Sequence, residues 1–402
     1  MRNQPSYWSS PTVKEHLVTV TGCRAAGEVF EVGIKESVVR PEGGGQAGDQ
    51  GALLVQGKRV RFIDTVLRDG EIALVTEQPI QVEGAATLEV DMEWRKAMMR
   101  NHTAEHIFVG SLKRMNPDLQ PGYIWIDGRH GTVEVTGCAL TIEQMTTAEA
   151  EVQRVVSLDV PVTSEVVSSD SLDPSVRARE GVTSKHDLVR VVRVGDFDSS
   201  ACSGTHVLRS GDIGFFKVID YKLEESSARF EFMAGDRATE LASRLFNMVL
   251  MRKHDFPFEY DQLGAVLDRA KTLLVERNEL LERVEQIMSE RPVSEDVKGI
   301  AFYHEYLPGF DTGRMKHVVK KMSMKGPAAM LLFSPGEKCS IVFATNEIRT
   351  SAEEIVGQLI RAMHGKGGGS QDLYTGGLTG VRQPRETYEQ LVGSLRQLLS
   401  GL

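Results

Sequence analysis

The chain has 402 residues, of which 41% are hydrophobic and 26% charged, and its formal net charge is -9. This length allows two or three domains with separate cores, and the composition excludes a low-complexity or disordered chain. No apolar run approaches the roughly 18 residues of a membrane span, and the N-terminus lacks the apolar segment of a signal peptide. We therefore expect a cytoplasmic protein with no membrane partner, in which the four cysteines stay reduced.

Residues 1–90 are predicted to form a small β-barrel or sandwich. Short alternating runs rich in Val and Ile, separated by Gly and Asp, occupy 17–20, 26–34, 60–66 and 71–75.

A glycine-rich loop interrupts this region, with five glycines among residues 43–51. Because glycine weakens regular elements, the loop is needed for positive φ angles or for close approach to another group. A tight turn within a barrel is the alternative.

From Asp91 to about Lys113 the apolar spacing predicts a helix with Asp91 as its N-cap. His102 and His106 are four residues apart and therefore share one face of that helix. Two histidines at this spacing are suited to one metal ion, although an isolated pair is more often structural.

A second pair, Cys202 and His206, follows a predicted strand at 188–194. Gly204 lies between the two side chains and favours a turn rather than a helix. Three imidazoles and one thiol form a ligand set typical of Zn²⁺, whereas Mg²⁺ and Ca²⁺ prefer oxygen. The sequence predicts one zinc site if the two pairs meet in space.

The remaining elements predict an α+β fold. Strand 132–136, helix 141–158 and a hairpin at 211–231 complete a core domain over 91–235. A 3,4 spacing of apolar residues over 267–288 predicts a long helix in a linker over 236–292, whose seam either packs within the chain or forms a homodimer. Alternating strands and helices predict a small α/β domain over 293–402.

Basic residues cluster at 95–100, 177–193 and 314–325, and the last cluster includes Lys320 and Lys321. They are either phosphate contacts or solvated faces. A second glycine cluster at 365–369 contains Lys366, and its exposed amides are suited to a phosphate or a sugar, unless it is only a turn.

The segments 91–106, 202–207 and 211–218 resemble the editing domain of alanyl-tRNA synthetase and the alanyl-tRNA editing (AlaX-type) proteins. The glycine cluster at 365–369 is similar to a signature in the synthetase's C-terminal domain, which the long editing proteins share. The resemblance implies a zinc ion held by His102, His106, Cys202 and His206. It also implies an aminoacyl pocket lined by Gly44, Gly45 and Gln46, although Glu42 and Gly43 stand where some relatives have Thr or Ser.

The activity that the resemblance implies is hydrolysis in trans of mischarged Ser-tRNA(Ala), and of Gly-tRNA(Ala) as a second substrate. Two alternatives remain open. One is a zinc-containing tRNA-binding module without hydrolase activity. The other is a zinc peptidase, since residues 102–106 match the inverted H-x-x-E-H motif with Glu105 as its base.

Overall fold

The computed structural model describes residues 4–81, 83–178, 187–253, 255, 258–290, 292–322 and 324–402. The chain divides into two compact units, Met1–Asp255 and Phe256–Leu402. Within the described residues, no helix is both long enough and apolar enough to cross a membrane.

The first unit begins with a short helix, α1 (Ser6–Ser9), and a closed six-stranded barrel. Its interior is filled by apolar side chains such as Val32, Leu53, Phe62 and Leu88, none of which is exposed. The strand order is β1-β2-β5-β4-β3-β6, and the strands are β1 (Glu15–Ala26), β2 (Val29–Ile34), β3 (Gly51–Val55), β4 (Lys58–Arg68), β5 (Glu71–Thr76) and β6 (Gly84–Val90).

The centre of the first unit is a four-stranded antiparallel sheet with two helices packed on it. Phe108 of one helix contacts Phe216 and Phe230 of the sheet at ring-centroid distances of 5.6 and 5.3 Å. The sheet has the order β12-β13-β8-β7, and the elements are α2 (Met92–Met115), β7 (Gln120–Ile126), β8 (Gly131–Thr136), α3 (Ile142–Leu158), β12 (Phe216–Leu223) and β13 (Ser227–Ala234).

A three-stranded antiparallel sheet of order β11-β10-β9 lies in the same unit, formed by β9 (Val162–Ser168), β10 (Leu188–Val194) and β11 (Asp198–Ala201). The unit ends with helix α4 (Asp236–Arg252).

The second unit contains a six-stranded sheet in which only β15 and β16 pair in parallel. Its order is β14-β15-β16-β17-β19-β18, and the strands are β14 (Glu295–Val297), β15 (Ile300–Tyr306), β16 (Ala328–Ser334), β17 (Lys338–Asn346), β18 (Lys366–Gly369) and β19 (Leu373–Thr379). The helices of this unit are α5 (Leu263–Glu290), α6 (Thr312–Lys321), α7 (Ala352–Ala362) and α8 (Pro384–Leu399).

The predicted fold class is confirmed: an N-terminal barrel, an α+β core, a helical segment and a C-terminal α/β domain follow one another. The two units are a coarser division than the four predicted domains, whose boundaries stay a prediction. Only part of the predicted apolar stripe of α5 packs within the chain. Leu281 is buried in the core of the second unit, whereas Leu267 and Leu274 are exposed.

Candidate metal centre

Helix α2 carries the first two candidate ligands. The Asp91 side chain accepts hydrogen bonds from the backbone amides of Glu93 and Trp94, which starts the helix where the sequence predicted. His102 and His106 follow on one face, and their ring centroids are 5.1 Å apart. Both rings are buried.

The other two candidate ligands lie in a turn after β11, as the glycines indicated. Gly204 contacts the first histidine so closely that a Cβ atom there would lie 2.1 Å from Cε1 of His102. This close approach brings the ring of His206 to 4.4 Å from that of His102 and 4.6 Å from that of His106, measured between centroids.

The four predicted ligands therefore meet. Their ligand atoms all lie within 4.8 Å of one another. Sγ of Cys202 is 3.4 Å from Nε2 of His102 and 3.3 Å from Nε2 of His206. A tetrahedral zinc ion with Zn–N of about 2.0–2.1 Å and Zn–S of about 2.3 Å requires its ligand atoms to be about 3.3–3.6 Å apart. The residues fit a zinc ion.

Gln46 fixes the orientation of the His102 ring. Its Oε1 is 2.8 Å from Nδ1 of His102 and also accepts the backbone amide of Thr205, while its Nε2 donates to the hydroxyl of Thr205. An amide oxygen can only accept, so Nδ1 of His102 carries the hydrogen and Nε2 is left for a metal.

The other two imidazoles also have a polar group beside Nδ1. The Thr103 hydroxyl donates to a backbone carbonyl of its own helix, so its oxygen accepts from Nδ1 of His206 at 3.2 Å. Nδ1 of His106 is 3.1 Å from Oδ2 of Asp198. All three rings thus present Nε2 toward Cys202, the arrangement that metal-binding histidines require.

Burial and these contacts shift the titration of the site. Burial alone would raise the pKa of the Cys202 thiol, but His102 and His206 lower it well below its usual value. Burial alone would lower the pKa of His106, but its contacts with Asp198 and Cys202 raise it to about 10. A metal ion bound to His106 must displace the proton that this raised pKa favours.

A cavity of about 490 Å³ opens over this centre. Trp8 and Arg190 form part of its wall: Nε1 of Trp8 donates to the carbonyl of Ser203, and the guanidinium of Arg190 lies 5.2 Å from the Trp8 ring centroid. Arg190 belongs to the predicted basic cluster at 177–193, whereas Trp8 was not identified from the sequence, because it acts through a contact with a segment 195 residues away.

The three residues predicted to line the aminoacyl pocket occupy different places. Gly44 lines the cavity. Gly45 has φ +84° and packs against Ile124, where a Cβ atom would be 2.3 Å from Cγ2. Gln46 is fully buried and holds His102. Substrate binding by these residues stays a prediction.

Some members of the predicted basic clusters are buried and are therefore not surface contacts for phosphate. Arg95 is fully buried in an ion pair with Asp49, so it is neither a solvated nor a phosphate-binding residue. Arg190 is also buried, and its Nη1 donates to the carbonyl of Gly204. Two residues of the second cluster, Arg179 and Lys185, lie outside the described residues.

The predicted tRNA contacts lie in the second unit. Lys320 and Lys321 are exposed in the last turn of α6, and Lys366 is exposed in β18 at the edge of the sheet. Lys321 also lines a groove of about 960 Å³ against the acidic face of α5.

Comparison of the sequence with known proteins finds one matching family model and relatives that cover 98% of this chain. The family model described as "Threonyl and Alanyl tRNA synthetase second additional domain" matches residues 189–229. The alanyl-tRNA editing protein AlaX-L of Pyrococcus horikoshii is 28% identical, with 98% of each chain covered. The alanine–tRNA ligase of Thermofilum pendens is 27% identical over 98% of this chain, which spans 44% of the ligase.

Among solved structures, the C-Ala domain of Aquifex aeolicus alanyl-tRNA synthetase matches 27% of this chain and 99% of its own length, with 20% identity and a TM-score of 0.25. The sequence matches extend over nearly the whole chain. The resemblance seen in the motifs is confirmed, and the chain is similar to the alanyl-tRNA editing protein AlaX-L across 98% of its residues.

Proposed function

We propose that this protein hydrolyses mischarged tRNA(Ala) in trans, removing serine and also glycine by cleaving the ester between the amino acid and the terminal ribose. Its relatives are an alanyl-tRNA editing protein and alanine–tRNA ligases, which supports an editing role. Editing answers a physical need, because a synthetase pocket that accepts alanine cannot strongly reject an analogue that adds a hydroxyl.

The observation that carries the proposal is the position of the metal centre at the wall of a cavity. His102, His106 and Cys202 all line that cavity of about 490 Å³. A metal centre with a purely architectural role would not need an open space beside three of its ligands. The donor set favours zinc as its cofactor.

Bound zinc would supply Lewis-acid polarisation or orientation of the ester carbonyl. The protein's own side chains would orient the metal ligands and shape the cavity for the substrate. Gln46 and Thr103 hold the imidazoles of His102 and His206 in their metal-binding tautomers, and Asp198 lies at ion-pair distance from His106. Trp8 and Arg190 line the cavity, which the terminal nucleoside would enter.

We place the tRNA contacts of the second unit at Lys320, Lys321 and Lys366, whose exposure supports this role. A homodimer through α5 or the C-terminal domain stays a prediction, supported by the exposed Leu273 and Leu280 of that helix. Because charged tRNA is the substrate, we expect the reaction to occur in the cytoplasm.

The second candidate is a tRNA-binding module with a structural zinc. It is favoured by one observation: four protein ligands form a closed set, whereas hydrolytic zinc usually keeps a position for water or substrate. The inverted-motif peptidase has less support, because it leaves Cys202 and His206 without a role and the described cluster supplies no carboxylate ligand.

The deciding experiment measures release of labelled serine and glycine from Ser-tRNA(Ala) and Gly-tRNA(Ala) by the zinc-loaded protein. We expect wild type to release serine, Cys202→Ala to lose the activity, and the matched control Cys138→Ala to retain it. Cys138 lies outside the metal cluster and outside the cavity wall. If wild type leaves both charged tRNAs intact, the hydrolase proposal fails.

A further inference from the structure

The carboxylate of Glu105 lies at the cavity wall beside the metal centre. Glu105 follows His102 by three residues, so the two side chains share a helix face. The residue is 3% exposed and lines the cavity together with His102 and His106. It does not belong to the cluster of four ligands. A carboxylate is therefore buried next to the site without serving as a ligand.

Within the part of the chain that the structure describes, Glu105 has a single, long ion pair. Its one ion-pair partner is Arg177, whose Nη1 is 3.7 Å from Oε1. That guanidinium is shared, since its Nη2 lies 3.2 Å from Oδ1 of Asp198 and donates to the carbonyl of His106. A long ion pair to a shared guanidinium leaves the Glu105 carboxylate able to accept a charge-assisted hydrogen bond from a cationic ligand.

The chemistry of the cavity wall indicates which ligand this is. Among the described residues that line the cavity, Glu105 is the only carboxylate. An aminoacyl ester has a single cation, the α-ammonium group, one carbon away from the ester carbonyl. A carboxylate beside the metal centre can hold that ammonium while the carbonyl faces the metal.

We propose that Glu105 binds the α-ammonium group of the aminoacyl ester and so makes the site specific for a free amino terminus. This inference rests on the proposed function and adds a specificity to it. Aminoacyl-tRNA would be accepted, whereas tRNA whose amino acid is N-acylated, including peptidyl-tRNA, would be rejected. Glu105 would be a specificity-determining residue, held in place by Arg177.

The test compares Ser-tRNA(Ala) with N-acetyl-Ser-tRNA(Ala), using wild type and Glu105→Gln. We expect wild type to prefer the free amine in kcat/KM, and the variant to lower that preference tenfold to a hundredfold, as expected for one charge-assisted hydrogen bond. Glu105→Asp, which keeps the charge, should restore part of the preference. Glu93→Gln, an exposed site on the same helix, is the matched control.

Zinc content and melting temperature show whether Glu105→Gln keeps the fold and the metal. An equal loss of activity on both substrates would overturn the proposal, because it would give Glu105 a role in the chemistry or the fold. An unchanged preference would overturn it as well.

A binding arm separates this inference from the proposed hydrolysis. The probes are 3′-serylamido-adenosine, which cannot be hydrolysed as an ester, and its N-acetyl form, measured by calorimetry on zinc-loaded protein. We expect Glu105→Gln to weaken only the free-amine probe. If wild type binds with that preference but releases no serine from tRNA, hydrolysis fails and the inference stands. Equal binding of both probes by wild type would overturn the inference.

Discussion

Replacing Gly204 with alanine would place a methyl group inside the metal centre. The new Cβ would lie 2.1 Å from Cε1 and 2.4 Å from Nδ1 of His102, and 2.6 Å from Oε1 of Gln46. Carbon atoms in contact are normally about 3.5–4.0 Å apart, so the ring must move by more than about 1 Å. Metal–ligand distances tolerate only about 0.2 Å. The backbone at Gly204 is outside the positive-φ region, so the effect is steric.

We expect Gly204→Ala to lower zinc affinity at least 10- to 100-fold, the range for lost orienting contacts around a metal. Overpacking should also destabilise the metal-free protein by about 1–3 kcal/mol. Competition with a chromophoric chelator measures the affinity, and urea unfolding measures the stability.

The matched control is Gly393→Ala in helix α8, where a Cβ atom meets nothing within 4 Å. An alanine there should leave zinc affinity unchanged and should not destabilise the helix. Zinc binding by Gly204→Ala with wild-type affinity would refute the close packing of Gly204 on His102.

Four further predictions concern the metal centre and the exposed surface of the second unit. Because zinc must displace the proton that His106 holds with a pKa raised to about 10, apparent zinc affinity should rise about tenfold per pH unit between about pH 6.5 and 8.5, measured by calorimetry. Thr103→Val removes a buried acceptor and should lower the free energy of unfolding by about 1–3 kcal/mol in urea. Charge reversal at Lys320 and Lys321 should weaken tRNA binding and make its salt dependence shallower, measured by filter binding. If α5 forms the dimer, Leu280→Lys should shift the sedimentation coefficient toward the monomer.

Each of these has a control or a contrary outcome. Thr146→Val, at an exposed hydroxyl of α3, should have little effect on stability. Lys58→Glu, on the exposed end of a barrel strand, should not alter the salt slope. Zinc affinity that does not change with pH would contradict the protonation of the metal-free site. A wild-type chain that sediments as a monomer would end the dimer prediction.

The local parts of this molecule were predictable from the sequence, because short-range rules produce them. Asp91 starts α2 through hydrogen bonds to amides two and three residues away. The spacing of His102 and His106 fixes a shared helix face. A strand at 188–194 was predicted, and β10 occupies Leu188–Val194 as expected, whereas the short strand β11 that follows it was not predicted.

The parts that were missed depend on long-range contacts. The resemblance implies that Gln46 lines the pocket, but nothing in the sequence indicates that its side chain also reaches His102, 56 residues away. Nothing in the sequence pointed to Asp198, which lies 3.1 Å from Nδ1 of His106. The sequence offered Glu105 only as the base of the alternative peptidase motif, yet its spacing from His102 places it on the cavity side of the helix.

Two imidazoles of α2, together with Cys202 and His206, should bind one zinc ion. X-ray absorption at the zinc edge of the zinc-loaded protein measures this ligand set. We predict one zinc per chain, with one sulfur at about 2.3 Å and three nitrogens at about 2.0–2.1 Å. A set of zinc ligands without sulfur, or one that is unchanged in Cys202→Ala, would contradict this assignment of the four ligands.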